Sequence, residues 1–86
     1  MSTKTPTITG LQLIRLLELD DWIRREKQTE HGVFFHKRVG GAFLSTTIPP
    51  KNDPIPDGTL SAILGSKQTK LGKDGLRDLI EKHGIS

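Results

Sequence analysis

The pair Gly40-Gly41 stands between two runs that suit an extended chain, and this arrangement constrains the fold more than any other feature. Gly32-Val33-Phe34-Phe35-His36-Lys37 precedes the pair and Ala42 to Ile48 follows it, both rich in apolar, aromatic or β-branched residues. Runs of this kind read as strands, and two successive glycines, free to take positive φ, read as the tight turn joining them. The second run stops at Pro49-Pro50, where the backbone loses its ladder donors. Upstream, Trp22 to Lys27 predicts a shorter strand with Trp22 as its core anchor, and Gln28-Thr29-Glu30 a polar turn. Three consecutive strands joined by tight turns imply an antiparallel sheet.

The rest of the chain predicts helices. Thr9 suits an N-cap, and Leu13, Ile14 and Leu17 follow at helical spacing, giving a first helix that ends near Asp20. After the irregular stretch Lys51 to Pro56, Asp57 is placed to cap a second helix carrying Leu60, Ile63 and Leu64 on one side. Gly65 to Gly72 reads as a connector. A last helix, from Lys73 to Lys82, buries Leu76, Leu79 and Ile80 and stops at Gly84. The expected fold class is α+β, in the order α-β-β-β-α-α, with the helices covering one face of the sheet. Residues 1–9 read as a flexible N-terminal segment and 10–86 as a single small domain.

At 86 residues the chain buries only a modest core, about 60% of the surface its unfolded form exposes, which favours an open surface site over an enclosed one. Cysteine is absent, so neither a disulfide nor a thiolate zinc site is available. The polar segment Met1 to Thr9 lacks the apolar stretch of a secretory signal, and no run approaches the roughly 20 apolar residues that span a bilayer. A cytoplasmic protein without a membrane partner is the expectation. The formal charge is +3. Arg24, Arg25, Lys27, Lys37 and Arg38 against Glu26 and Glu30 give the segment 24–38 an excess equal to that of the whole chain. A solvated hairpin face accounts for this, and so does a surface for an acidic partner such as RNA.

Three histidines are the candidates for chemistry. His83 falls in the last helical turn, where a cation suits the helix dipole. His31 and His36 are an odd number of positions apart, so one strand cannot aim both at one metal, and no cofactor or metal site is expected. On that strand His31, Val33, Phe35 and Lys37 share one face, and Gly32, Phe34 and His36 the other. Each face carries a phenylalanine, so alternation leaves open which one packs on the helices. His31, directly after the turn and opposite Arg25 and Lys27, has the surroundings that metal-free RNA cleavage requires. An imidazole removes the proton of a 2′-hydroxyl while cations stabilise the charge growing on the phosphate.

The segment from Trp22 through His36, with Ile48-Pro49, Ile55, Gly58-Thr59-Leu60 and Ile63-Leu64 following in order, resembles the HicA-type mRNA interferases of toxin-antitoxin systems. The opening helix from Gly10 to Leu17 is also similar. The resemblance covers about Gly10 to Leu64. It implies a fold similar to double-stranded RNA-binding domains, cleavage of mRNA, and a HicB-type antitoxin as partner. It places the family's catalytic histidine on His31 and its second histidine on His36, and Arg24, Arg25, Lys27 and Lys37 become the RNA-contacting cations. It also implies that His31 points out of the sheet and Phe34 into the core, which leaves Val33, Phe35 and Phe43 for the open face, where they meet bases or antitoxin, with extra core as the alternative for Phe35 and Phe43. Thr29-Glu30 stands where the family has Gly-Ser, Gly32 where it often has histidine or an apolar residue, and Gly65 to Gly72 is longer than the usual connection. The carboxylate of Glu30 beside the candidate base favours the alternative, an RNA-binding or protein-docking module of the same fold without the chemistry. A DNA-binding reading is weaker, because the last helix balances Asp74, Asp78 and Glu81 against Lys73, Arg77 and Lys82.

Overall fold

A computed structural model describes residues 7–25 and 32–84. The elements run α1 (Gly10–Leu19), β1 (Ile23–Arg24), β2 (Val33–Val39), β3 (Ala42–Ile48), α2 (Asp57–Leu64) and α3 (Gly72–His83). The three strands form one antiparallel sheet in the order β1-β2-β3. This is the α+β layout that the sequence patterning predicts.

Local chemistry explains most boundaries. The Thr9 hydroxyl accepts from the Gln12 amide at 3.1 Å and the Gln12 side chain accepts from the Thr9 amide at 3.0 Å, so a reciprocal capping box starts α1. The helix then reverses through Asp21, whose φ is 65°, and the Trp22 amide donates back to Leu17 O at 3.0 Å. The Gly40-Gly41 turn takes φ of 56° and 84°, the doubly positive backbone whose twist matches a two-residue hairpin. It locks Val39 opposite Ala42 and thereby the whole β2–β3 register, as far as Val33 opposite Ile48. Gly84, at φ 64°, ends α3.

Two expectations need correction here. Asp57 does not cap α2: Pro56 occupies the N-cap without a side-chain bond, and Asp57 is the first helical residue, where its charge still suits the helix N-terminus. The first strand, expected from Trp22 to Lys27, covers Ile23–Arg24 within the described residues; Trp22 precedes it as the buried anchor expected, and residues 26–27 lie outside those described.

One apolar core lies between the sheet and the helices. Leu13, Leu16 and Leu17 of α1, Phe35 of β2, Ile48 of β3, Leu60 of α2 and Leu76 of α3 are all fully buried within it. The packed chain reaches back to Ile8, which is 2% exposed and whose carbonyl accepts from the Ile55 amide at 2.9 Å. Ile80 packs only at the margin of the core. Two buried threonines satisfy themselves as they close the connector: Thr69 Oγ1 donates to Ile63 O at 2.6 Å, and Thr46 Oγ1 bonds Gln68 Oε1 at 2.6 Å. No helix among the described residues is long and apolar enough to cross a membrane.

Gly32 has a structural reason that the sequence conceals. Its φ is 129°, and a Cβ at this position would run into the Ile48 carbonyl across the ladder. Both the backbone angle and the close approach require glycine. The strict alternation of β2 begins only at Val33.

Candidate nucleic-acid interface

Strand β2 carries a phenylalanine on each face, and the structure assigns them opposite roles. Val33 and Phe35 point into the core at 3% and 0% exposure, while Phe34 and His36 lie half-buried on the face that no helix covers. This reverses the orientation expected for Phe34 and Val33. The physical reason is volume: α1, α2 and α3 close over the odd-numbered side of β2 with leucines and isoleucines, and Phe35 fills the centre of that cluster. Of the two residues whose face the sequence leaves open, Phe35 belongs to the core and Phe43 to the open face, 59% exposed.

Register then assembles the open face from three strands. Residues directly opposite one another share a face, so Ile23 joins His36, Ser45 also joins His36, Thr47 joins Phe34 and Phe43 joins Arg38. The Arg25 amide donates to Phe34 O at 2.9 Å, which brings Arg25 alongside Phe34 at the β1 edge. The three rings form a continuous row. His36 stacks on Phe43 with centroids 5.5 Å apart and planes 24° from parallel, and Phe34 lies 6.1 Å from His36 on the other side. Beside the row, Ile23 is 58% exposed. Past Phe34 the face continues into a shallow groove of about 370 Å³ between β3 and α2, where Thr47, Thr59 and Lys67 contribute polar groups.

The expected cations divide between the two faces. Lys37 belongs to the core side of β2: its ammonium donates to Asp20 O at 2.8 Å, lies 3.4 Å from Asp20 Oδ2 and sits 5.9 Å from the centre of the Trp22 ring. It staples β2 to the end of α1. Arg24 pairs opposite Phe35 and reaches Glu18 of α1 at 3.8 Å, an exposed and weak ion pair. Arg25 and Arg38 are exposed, and neither makes an ion pair among the described residues. The structure therefore brings Arg25 to the open face and ties Arg24 and Lys37 to the helix side. His31 and Lys27, and with them Glu30 and the turn, lie outside the described residues.

Sequence reasoning did not select Arg38 or Ile23 for this site. The signal for Arg38 was present: once Gly40-Gly41 closes a two-residue hairpin, Arg38 must pair with Phe43. Ile23 has no such signal, since its register rests on a pairing the intervening turn does not dictate. His83 stands apart, in the last turn of α3 beside a cleft lined by Gln12 and Arg15. Its Nε2 is buried without a hydrogen-bond partner among the described residues. Among those residues no group of three or more histidine, aspartate and glutamate side chains is arranged to hold a metal ion.

Such a surface supplies stacking area, hydroxyls and positive charge without an ion pair among the described residues, the chemistry that a nucleic-acid strand uses. In comparisons with protein-family models, with characterised proteins and with solved structures, the chain matches none.

Proposed function

We propose that this chain is a small RNA-acting domain of the HicA type: an endoribonuclease that cleaves mRNA without a metal, held in check by a HicB-type antitoxin. The observation that carries the RNA part is the open sheet face, where Phe34, His36 and Phe43 form one row flanked by Arg25 and Arg38. The catalytic part rests on the sequence resemblance, which gives His31 the role of proton-transfer group. In that mechanism the imidazole takes the proton of a 2′-hydroxyl, the freed oxygen attacks the adjacent phosphorus, and the bond to the 5′-oxygen breaks. That oxygen leaves with a proton returned to it. Positive charge from the basic hairpin offsets the negative charge that builds on the phosphate. Histidine is the side chain whose ordinary titration range lies closest to cellular pH, which suits giving and taking protons.

A second reading, an RNA-binding module without the chemistry, is favoured by one feature of the sequence. Glu30 puts a carboxylate next to His31 where the family has serine, and it repels a phosphate approaching that base. Incubating the purified chain with a long single-stranded RNA in EDTA separates the two, with the His31→Ala variant alongside. Cleavage by the parent and not by the variant is the expected result. RNA binding by both without cleavage selects the module, and equal cleavage by both removes His31 from the mechanism.

A further inference from the structure

We propose that the open face of the sheet is a stacking platform for single-stranded RNA: Phe43 receives a base, His36 and Phe34 extend the stack, and Arg38 and Arg25 hold the neighbouring phosphates. The inference deepens the reading of the chain as an RNA-acting domain, and rests on it, by naming the form of RNA that this face accepts.

Exposure is the first argument. A phenylalanine with 59% of its surface in water and an isoleucine with 58% contribute little to the core, and they lie on one side of a sheet that among the described residues is three strands wide. Singly they are ordinary; joined to a row of three rings they form a continuous π and apolar surface. Stacked against His36, the Phe43 ring is held in place by a neighbour, so docking a base there orders little that is loose.

Charge is the second argument, and it selects the occupant. Carboxylates accompany the cations of the helix side: Glu18 meets Arg24 and Asp20 meets Lys37. On the open face the described strand residues are Ile23, Phe34, His36, Arg38, Phe43, Ser45 and Thr47, with Arg25 alongside, and no acid is among them. An apolar strip bordered by two arginines free of ion pairs among the described residues, with hydroxyls next to it, complements a polyanion that also carries flat apolar rings. A duplex has the charge but keeps its bases paired and stacked inside, and it is recognised through phosphates and 2′-hydroxyls across the minor groove. Phe43, His36 and Ile23 have no use there. Only a single strand offers both features at once.

The test is fluorescence anisotropy with a labelled 2′-fluoro RNA of mixed sequence, as a single strand and as a duplex, at several salt concentrations. That RNA lacks the 2′-hydroxyl nucleophile, so binding is read whether or not the chain cleaves. The single strand should bind more tightly than the duplex. Phe43→Ala should lose about tenfold or more in affinity for it, whereas Phe43→Trp, which keeps a ring to stack on, should hold it. Arg38→Ala should lower the salt slope by about 0.7, the loss of one phosphate contact on a single strand. Thermal melting of each variant reports its folding. Preference for the duplex, or unchanged affinity in Phe43→Ala, overturns the platform while leaving RNA cleavage by the parent chain standing. Absence of RNA binding by the parent overturns the platform together with the RNA-acting reading on which it rests.

Discussion

The two faces of the sheet are built from the same strands, and they spend their side chains differently. On the inner side Val33, Phe35 and Ile48 vanish into the core, Lys37 is committed to Asp20, and Arg24 forms a weak, exposed ion pair with Glu18. On the outer side Phe34, His36 and Phe43 form a row in which His36 stacks on Phe43, and Arg25 and Arg38 extend without an ion pair among the described residues. A phenylalanine is therefore not a core residue by its chemistry alone. Adjacent residues of β2, Phe34 and Phe35, differ because the pleat sends one toward three helices and the other toward water.

The comparison breaks first at Phe35. Replacing it with alanine should destabilise the fold by about 3–5 kcal/mol, enough to unfold much of a domain this small, as a denaturant titration will report. Retained stability would mean that the odd-numbered side of β2 is not the packed one. Gly32→Ala comes next, with a loss of about 1–3 kcal/mol from the forced positive φ, added to by the approach to the Ile48 carbonyl. Thermal melting measures it, and the register of β2 against β3 is in question if nothing changes. Lys37→Met keeps the stem over Trp22 but removes the bonds to Asp20, a loss of about 1 kcal/mol. Its RNA affinity and salt slope should stay as in the parent, unlike those of Arg38→Ala one position away. A drop equal to that of Arg38→Ala would erase the division of cations between faces. Smallest in stability is Phe43→Ala, within about 0.5 kcal/mol of the parent, since the ring is mostly in water. A melting temperature lowered by many degrees would show that the open face is structural.

The elements that were legible in the sequence are those whose causes are local. The Thr9–Gln12 capping box, the glycine pair between the strands, the prolines after Ile48 and the glycine after α3 act within a few residues of the boundaries they set. The leucines of α1 and α3 declare their buried sides by helical spacing, for the same reason. The site was legible only in part. Composition marked the segment 24–38 as basic, but charge alone does not say that Lys37 turns back to an aspartate seventeen positions earlier. Asp57 shows the limit at short range: it looks like a cap, yet Pro56 takes the position because the chain arrives extended from the loop.

By itself, then, the sequence determined the order of elements, the hairpin turn and hence the β2–β3 pairing, because turn geometry and periodicity are properties of neighbouring residues. It also determined that side chains of β2 alternate. Only the tertiary structure decided which set faces inward, since each set contains a phenylalanine and the choice depends on how α1, α2 and α3 close over the sheet. With that choice came the make-up of the outer face: the row through Phe34, His36 and Phe43, the arrival of Ile23 beside it, and Arg25 and Arg38 without an ion pair among the described residues. Packing is a contest among distant segments for one limited interior, and no local pattern records its outcome.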